Sequence, residues 1–240
     1  MRGDTHSGWA TTIVVAHPGS GLYGSDRMLL EAVAGMLERG WRVVVTLPTR
    51  GPLVAELQAR GAAVHICRAP VVRTSARSLG GLLRLGRDVL SGVAPGWRLL
   101  RRERPDLVYV STLVSPLWLV LARLLRVSAV CHVHEAERHL PRRLRTLLAS
   151  PLLLAHRVVA NSRFTQQVLS ESLSALDRRT VVVPNGVAAP SRPAPPRPVL
   201  QAPVRLLCIG RLSPRKGTDI AVRAAAALVD DGIDVQLDLV

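Results

Sequence analysis

The sequence predicts an α/β fold in which helices cover both faces of a doubly wound parallel sheet. From Thr11 onward, short runs that are nearly continuous in apolar and β-branched residues alternate with longer helical patterns. The 240 residues are 48% hydrophobic and 20% charged, a globular composition large enough for one domain or one and a half. A second, shorter set of strand and helix signals follows a proline-rich stretch near the C-terminal end.

Nine segments are predicted as strands because they are short, apolar and rich in β-branched residues. They are 12–16, 42–47, 62–67, 107–110, 128–133, 157–160, 180–183, 204–209 and 235–240. Seven segments with helical periodicity lie between them. They are 25–39, 52–60, 79–104, 116–125, 140–155, 163–173 and 218–229, and a break is expected in the third near Pro95.

The order of these elements predicts three parts. Residues 1–187 form a first domain, residues 188–203 a proline-rich extended linker, and residues 204–240 one βαβ unit of a second domain.

The N-terminal residues 1–10 lack the apolar core of a signal peptide. The longest apolar stretch, 113–125, is too short to span a bilayer, so a cytoplasmic location is expected.

The net charge of +15 calls for an anionic partner or surface, for which nucleic acid, anionic lipid and phosphorylated substrates all qualify. Aromatic residues make up only 3% of the chain, which argues against stacking platforms for single-stranded nucleic acid.

The three cysteines, Cys67, Cys131 and Cys208, lie in apolar runs without CxxC spacing. They are predicted to be buried thiols, neither a disulfide frame nor a zinc site.

A strand, a glycine and a cationic loop before a helix predict an anion site near the C-terminal end. The strand pattern 204–209 stops at Gly210, and the loop that follows carries Arg211, Arg215 and Lys216. Backbone N–H groups and the helix dipole favour a phosphate at such a turn. Lys216 is the only lysine among 32 basic residues, which points to a chemical requirement for a compact ammonium; an exposed cationic turn is the alternative.

The loop after the first predicted strand satisfies the pattern G-x-G-x-x-G through Gly19, Gly21 and Gly24. A dinucleotide site also requires an acidic residue near the end of the second strand, and no Asp or Glu lies between Glu38 and Glu56. NAD is therefore disfavoured, whereas Arg50 keeps an NADP interpretation open. A glycine turn that serves only tight packing is the structural alternative.

Two histidines end the fifth predicted strand in the run Cys131-His-Val-His-Glu-Ala-Glu137. Open parallel sheets present ligand-binding residues at the carboxyl ends of their strands. His132 and His134 alternate along the chain and are expected to point to opposite faces, so this pair alone predicts no metal site. A structural, hydrogen-bonded role for either histidine is the alternative.

The run Gly210-Arg-Leu-Ser-Pro-Arg-Lys-Gly217 resembles the Gly-Arg-Leu-x-x-x-Lys-Gly signature of family 4 retaining glycosyltransferases. The resemblance implies a GT-B architecture of two Rossmann-like domains, the second of them incomplete in this chain. It implies that Arg211 and Lys216 contact the diphosphate of a nucleotide-sugar donor, with Gly210 at the same turn. The family needs no metal or other cofactor for this step.

The same resemblance assigns the remaining site residues. The loop with Gly21 and Gly24 is similar to the family's glycine-rich loop, which faces the donor phosphates across the interdomain cleft. His134 takes the place of the family's histidine beside the donor sugar, Glu135 shapes that pocket, and Asn185 belongs to the Pro-Asn-Gly-Val landmark. The implied partners are a nucleotide-sugar and a sugar, polysaccharide or lipid-linked acceptor, with no nucleic acid.

A basic stretch and a missing motif complete the expectations. Residues 73–145 hold 14 Arg against five acids, with leucines and tryptophans between them. This stretch predicts either contact with an anionic membrane on the inner face of the plasma membrane or a solvated charged face.

Family members carry two glutamates spaced by seven residues in the second domain, but no Glu follows Glu171. We therefore expect the 240 residues alone to transfer no sugar.

Three other functions stay open at this point. A GT-B sugar-nucleotide epimerase shares the architecture, and an NADP-dependent oxidoreductase would use the first glycine loop. A basic peripheral membrane or nucleic-acid-binding fragment is the alternative outside enzymes. Salt-sensitive binding without dependence on a nucleotide-sugar would distinguish it.

Overall fold

The computed structural model describes residues 11–67, 79–186, 189, 191–193, 195, 199–210, 212 and 216–240, with side chains left out for 79–90. The chain divides into two compact units, Met1–Val187 and Ala188–Val240. Arg211 and Arg215 lie outside the described residues, as does the start of the basic stretch at 73–78.

The first unit is built on a seven-stranded parallel sheet in the order β3-β2-β1-β4-β5-β6-β7. Its strands are β1 (Thr12–Ala16), β2 (Arg42–Leu47), β3 (Ala63–Ile66), β4 (Leu107–Val110), β5 (Ser128–Val133), β6 (Arg157–Ala160) and β7 (Thr180–Val182). The strand order reverses at β1, which pairs with β2 on one side and β4 on the other. Such a reversal leaves a crevice at the carboxyl ends of the two diverging strands.

Helices connect these strands as crossovers. They are α1 (Gly24–Glu38), α2 (Pro52–Ala59), α3 (Leu79–Glu103), α4 (Leu117–Leu124), α5 (Arg142–Ala149) and α6 (Arg163–Ser172). Two 3₁₀ helices, Ser150–Leu154 and Ser174–Arg179, precede β6 and β7. None of the described helices combines the length and apolar character needed to cross a bilayer.

Apolar clusters on both sides of the sheet explain why its strands are nearly continuous in apolar residues. Val14 and Ala16 of β1 pack into a cluster with α4 residues such as Trp118, while Ile13 and Val15 pack into a cluster with α1 residues such as Leu29. Strands that alternate between two buried faces need apolar residues at every position. The predicted α/β fold with a doubly wound parallel sheet is confirmed.

Helix α3 is continuous through Pro95, so the expected break near this residue was wrong. The end of the helix is held by packing, because Leu99 and Leu100 are buried in the cluster that contains α4. Gly96 allows this approach: a Cβ at position 96 would lie 2.8 Å from Leu121 Cδ1. Tertiary contacts therefore offset the hydrogen bond that Pro95 cannot donate.

The predicted helix 140–155 is two elements. Helix α5 begins after Pro141 and ends at Ala149, and a 3₁₀ helix follows through Leu154. Pro151 explains the change, because it has no N–H to donate to the Leu147 carbonyl, which accepts the Ser150 hydroxyl at 2.9 Å instead.

The second unit holds a parallel pair of strands joined by one helix. They are β8 (Val204–Cys208), α7 (Thr218–Asp230) and β9 (Val235–Leu239), with Val204 opposite Val235 and Cys208 opposite Leu239. Gly217 precedes α7 with φ 68°, a left-handed conformation that favours glycine.

Candidate functional site

The crevice at the strand reversal is lined by polar residues that directly follow three neighbouring strands. His17 follows β1, Ser111 follows β4, and His134 follows β5. Because all three strands are parallel, these residues lie at one edge of the sheet. Open α/β sheets bind their ligands at this edge.

His17 bridges the two strands that diverge at the crevice. Its Nδ1 lies 2.5 Å from Ser111 Oγ, and its Nε2 lies 2.7 Å from Asp26 Oδ1 in helix α1. All three side chains are buried. Because the carboxylate of Asp26 only accepts hydrogen bonds, His17 carries a proton on Nε2.

Asp26 ties this histidine to the glycine loop. Its second oxygen, Oδ2, accepts the backbone N–H of Tyr23 at 2.8 Å. Burial acts to raise the pKa of Asp26, but the hydrogen bonds from His17 and Tyr23 and the charge of His17 outweigh it, so the pKa lies below its usual range. The loop between β1 and α1 is therefore held at both ends by one ionised carboxylate.

Two of the three loop glycines lie in tight packing against Asp26 and Tyr23. A Cβ at Gly19 would lie 3.0 Å from Asp26 Oδ1, and one at Gly21 would lie 3.2 Å from Asp26 Oδ2 and 3.0 Å from the Tyr23 ring. A Cβ at Gly24, in contrast, would meet no described atom within 4 Å. Local packing thus accounts for Gly19 and Gly21, and it gives no reason for glycine at position 24.

His132 and His134 lie side by side, with ring centroids 4.1 Å apart and planes tilted by 38°. The expectation that they point to opposite faces was wrong, because residues two apart along a strand share a face. Among the described residues, no group of three His, Cys, Asp or Glu side chains is placed to hold a metal ion.

The two imidazoles are both held toward the neutral form. Burial and the neighbouring His134 lower the pKa of His132 to about 4. Burial also lowers the pKa of His134, an effect that the Glu135 charge opposes and the His17 charge adds to. Burial raises the pKa of Tyr109, whose hydroxyl lies 2.5 Å from His132 Nδ1. The Tyr109 hydroxyl is able both to donate to this nitrogen and to accept from it, and the other ring nitrogen, His132 Nε2, is buried and has no described partner.

Glu135 folds back onto the end of β4. Its carboxylate accepts the Thr112 hydroxyl at 2.6 Å, the Leu113 N–H at 3.3 Å and the His134 N–H at 3.1 Å. Asn161, at the end of β6, donates from Nδ2 to the His134 carbonyl at 3.5 Å. These bonds fix the backbone that carries the His134 ring.

The remaining predicted residues lie elsewhere. Asn185, in the chain segment after β7, is exposed, and its side chain has no described hydrogen-bond partner. In the second unit, Gly210 follows β8, and a Cβ there would lie 3.6–3.8 Å from the methylenes of Lys216. The Lys216 side chain is exposed and forms no ion pair with a described carboxylate. Arg211 lies outside the described residues.

The structure thus brings His134 and Glu135 together at the edge where the loop of Gly21 and Gly24 begins. It also adds three residues that the sequence analysis missed: His17, Asp26 and Ser111. Two of them, His17 and Ser111, carry the signal that pointed to the run containing His134, namely a polar side chain directly after a buried strand. No sequence pattern indicates the Asp26 contact, because it depends on how α1 leaves the sheet.

A family model and solved structures match this chain. The model described as Glycosyltransferase Family 4 matches residues 23–189. No curated protein sequence matches the chain significantly.

The matching solved structures cover most of this chain, but each match spans only part of the longer protein with which this chain is compared. Anabaena HepE in complex with UDP-glucose gives a TM-score of 0.70 at 19% identity, over 95% of this chain and 60% of that chain. A glycosyltransferase from Rickettsia africae ESF-5 gives 0.65 at 16% identity, over 95% and 68%. The lipopolysaccharide outer core galactosyltransferase WaaB gives 0.62 at 16% identity, over 95% and 67%. The chain spans about 60% of the length of HepE, and at these identities the likeness shows a shared fold.

Proposed function

Because the chain belongs to glycosyltransferase family 4, we propose that it forms part of an enzyme that moves a sugar from a nucleotide-sugar to an acceptor with retention of configuration. The observation that carries the proposal is the set of polar side chains at the strand reversal, with His134 and Glu135 inside the span that the family model matches. The structure of HepE holds UDP-glucose, which supports a nucleotide-sugar as the donor class.

His134 is proposed to orient the donor sugar. With its pKa lowered by burial, the imidazole is neutral near pH 7 and offers one donor and one acceptor to sugar hydroxyls. The ring is positioned from two sides, by His132 at 4.1 Å and by the Glu135 bond to its own backbone N–H. A side chain fixed in this way loses little conformational freedom when the sugar binds.

Lys216 and Arg211 are proposed to stabilise the charge of the leaving diphosphate. The Lys216 stem lies along Gly210, and its ammonium has no carboxylate partner among the described residues. An unpaired cation at a glycine turn before a helix is well placed to bind phosphate oxygens. The proposed reaction involves no metal and no other cofactor, since the two side chains supply the charge.

The acceptor is proposed to be a lipid-linked sugar or a polysaccharide precursor, reached at the cytoplasmic face of an anionic membrane. Helix α5 follows β5 and so begins at the same edge of the sheet as His134. It carries Arg143, which is exposed, and Leu147, whose relative exposure is 67%. A cation and an exposed leucine on one short helix suit an interface between water and anionic lipid.

The membrane proposal is tested by co-sedimentation with vesicles of neutral lipid, with and without anionic lipid. Binding should require the anionic lipid, weaken at high salt, and decrease in Leu147→Glu. Val229→Glu, which changes another exposed apolar residue (56% exposed) in helix α7 of the second unit, is the matched control. Equal binding to both kinds of vesicle, or none to either, would refute this part of the proposal.

The packing beside the glycine loop argues against the NADP alternative. Ser20 Oγ lies 2.9 Å from Thr49 Oγ1, and a Cβ at Gly51 would lie 2.3 Å from the Ser20 carbonyl oxygen. The segment after β2 therefore packs directly on the loop, where a dinucleotide would place its ribose.

Binding measurements test the donor class. The chain is titrated calorimetrically with UDP-glucose, GDP-mannose, UDP and NADPH. A nucleoside diphosphate or its sugar should bind and NADPH should not. Binding of NADPH in place of every nucleotide-sugar would refute the proposal. Where turnover is measured, the anomeric proton of the product in NMR should show the configuration of the donor.

A further inference from the structure

A second polar cavity lies at the opposite edge of the sheet. It has a volume of about 500 Å³ and is lined by Arg123, Arg126, Val127, Leu153, Leu154, Ala155, His156 and Arg179. Val127, His156 and Arg179 come directly before β5, β6 and β7. These residues therefore lie at the amino ends of the strands, about 20 Å from the carboxyl edge across the six residues of β5.

The polar side chains of this cavity are all hydrogen-bond donors. Three are guanidinium groups, which have no acceptor atom. The fourth is His156, whose Nδ1 accepts the backbone N–H of Ala129 at 3.1 Å. This bond places the proton of the neutral ring on Nε2, which leaves a fourth N–H donor. No carboxylate lines the cavity.

The three arginines also lack carboxylate partners. Among the described residues, neither Arg123, Arg126 nor Arg179 forms an ion pair. Arg179 donates from one nitrogen, Nη1, to the carbonyls of Leu153 and Ala155 at 2.9 and 3.3 Å, which holds its guanidinium beside the cavity. The carboxyl end of α4 carries a partial negative charge of roughly one half, which offsets at most part of the charge of Arg123.

The end of helix α4 fixes the backbone of Arg126, since its N–H donates to the Arg123 carbonyl at 3.3 Å and the Val127 N–H donates to the Ala122 carbonyl at 2.9 Å. Arg126 has φ 58°, in the left-handed region that glycine and asparagine adopt more readily. Three neighbouring cations without counter-charges repel one another, and an anion placed between them removes this repulsion. Guanidinium forks match phosphate oxygens in geometry.

We propose that this cavity is a binding site for a phosphate or diphosphate group, separate from the donor site. Its apolar wall of Val127, Leu153, Leu154 and Ala155 and its volume leave room for an organic group joined to the phosphate. A soluble phosphate ester and a phospholipid headgroup share this chemistry. The inference stands apart from the proposed transferase reaction, because none of its residues lies at the carboxyl edge.

Calorimetric titration of the full chain with inorganic pyrophosphate tests the proposal. The wild type should bind, and each of Arg123→Gln and Arg126→Asn should weaken binding by about 10-fold or more, as expected for loss of a charge-assisted hydrogen bond. Asparagine is chosen at position 126 because it tolerates positive φ. Arg101→Gln, at an exposed arginine outside the cavity, is the matched control and should bind as the wild type does.

Vesicles that contain phosphatidic acid distinguish the two sources of phosphate. If a lipid headgroup is the ligand, pyrophosphate should compete with the vesicles for the protein. Arg126→Asn should then reduce vesicle binding, and Arg101→Gln should not. If a soluble ester is the ligand, pyrophosphate should bind without this competition. Absence of pyrophosphate binding by the wild type, or equal weakening by the control variant, would overturn the proposal. Circular dichroism spectra of the variants separate loss of binding from loss of fold.

Discussion

The buried carboxylate of Asp26 should be a large contributor to the stability of the first unit, and Asp26→Asn tests this. Its two oxygens accept from His17 Nε2 at 2.7 Å and from the Tyr23 N–H at 2.8 Å. The amide of asparagine has only one oxygen, so one of these donors faces an NH₂ group. Loss of a buried hydrogen bond to a charged carboxylate, together with the donor left without an acceptor, predicts a decrease of about 2–4 kcal/mol in the free energy of unfolding.

Urea denaturation of the wild type and the variant measures this decrease. Asp106→Asn is the matched control, because Asp106 also accepts a single backbone N–H, that of Thr12 at 2.8 Å, but is exposed. An asparagine at position 106 can turn its oxygen toward Thr12, so the control should cost less than about 1 kcal/mol.

The difference between wild type and Asp26→Asn should depend on pH. The folded pKa of Asp26 is lowered, so its contribution is present above the unfolded pKa of about 4 and is lost as the pH falls through the folded value. The two stability curves should therefore converge below pH about 4. A cost no greater than that of Asp106→Asn, or a difference that persists at low pH, would refute the reasoning.

Three further predictions concern the two glycine loops and His132. Lys216→Ala should weaken donor binding by roughly 10- to 150-fold in calorimetry. Lys216→Arg should also weaken it, because the planar guanidinium does not reproduce a compact ammonium. Unchanged donor binding in Lys216→Ala would contradict the anion-site interpretation. Gly19→Ala should lower the melting temperature because the new Cβ would lie 3.0 Å from Asp26 Oδ1, whereas Gly24→Ala should leave the melting temperature unchanged or raise it. Similar shifts for both variants would contradict this prediction, because the loop would then move to make room for the Cβ. His132 has a folded pKa of about 4, so between pH 4 and 6.5 it binds fewer protons in the folded chain than in the unfolded chain. The free energy of unfolding should therefore decrease as the pH falls through this window. A His132→Gln variant whose free energy of unfolding depends on pH as the wild type's does would contradict this.

Most strands could be predicted from the sequence because the sheet is buried on both faces. Residues 12–16, 42–47, 107–110, 128–133 and 157–160 were predicted with the bounds that the structure has. A strand of this kind is an unbroken apolar run, and polar residues bound it on both sides. Helix ends were less predictable, since proline acted in opposite ways: packing keeps α3 continuous through Pro95, whereas Pro151 ends the α-helical geometry after α5.

Part of the candidate site followed from the same strand rule, and part did not. The strand rule placed the polar run after β5 at the binding edge, and the family resemblance selected His134 and Glu135 from this run. Their roles in sugar transfer stay a prediction. The contact between His17 and Ser111 joins residues 94 positions apart. It depends on β1 and β4 being neighbours, and periodicity along the chain carries no information on strand order.

This strand order has a consequence for synthesis on the ribosome. Strand β1 pairs with β2 soon after both have emerged, but its other edge stays open until β4, which begins at Leu107. At 5–20 residues per second, the roughly 90 residues between the two strands take about 5–20 s to be made. During this interval the nascent chain exposes an apolar, unpaired edge of the kind that chaperones bind and that aggregation begins from. The crevice with His17 and Ser111 forms only when that edge closes.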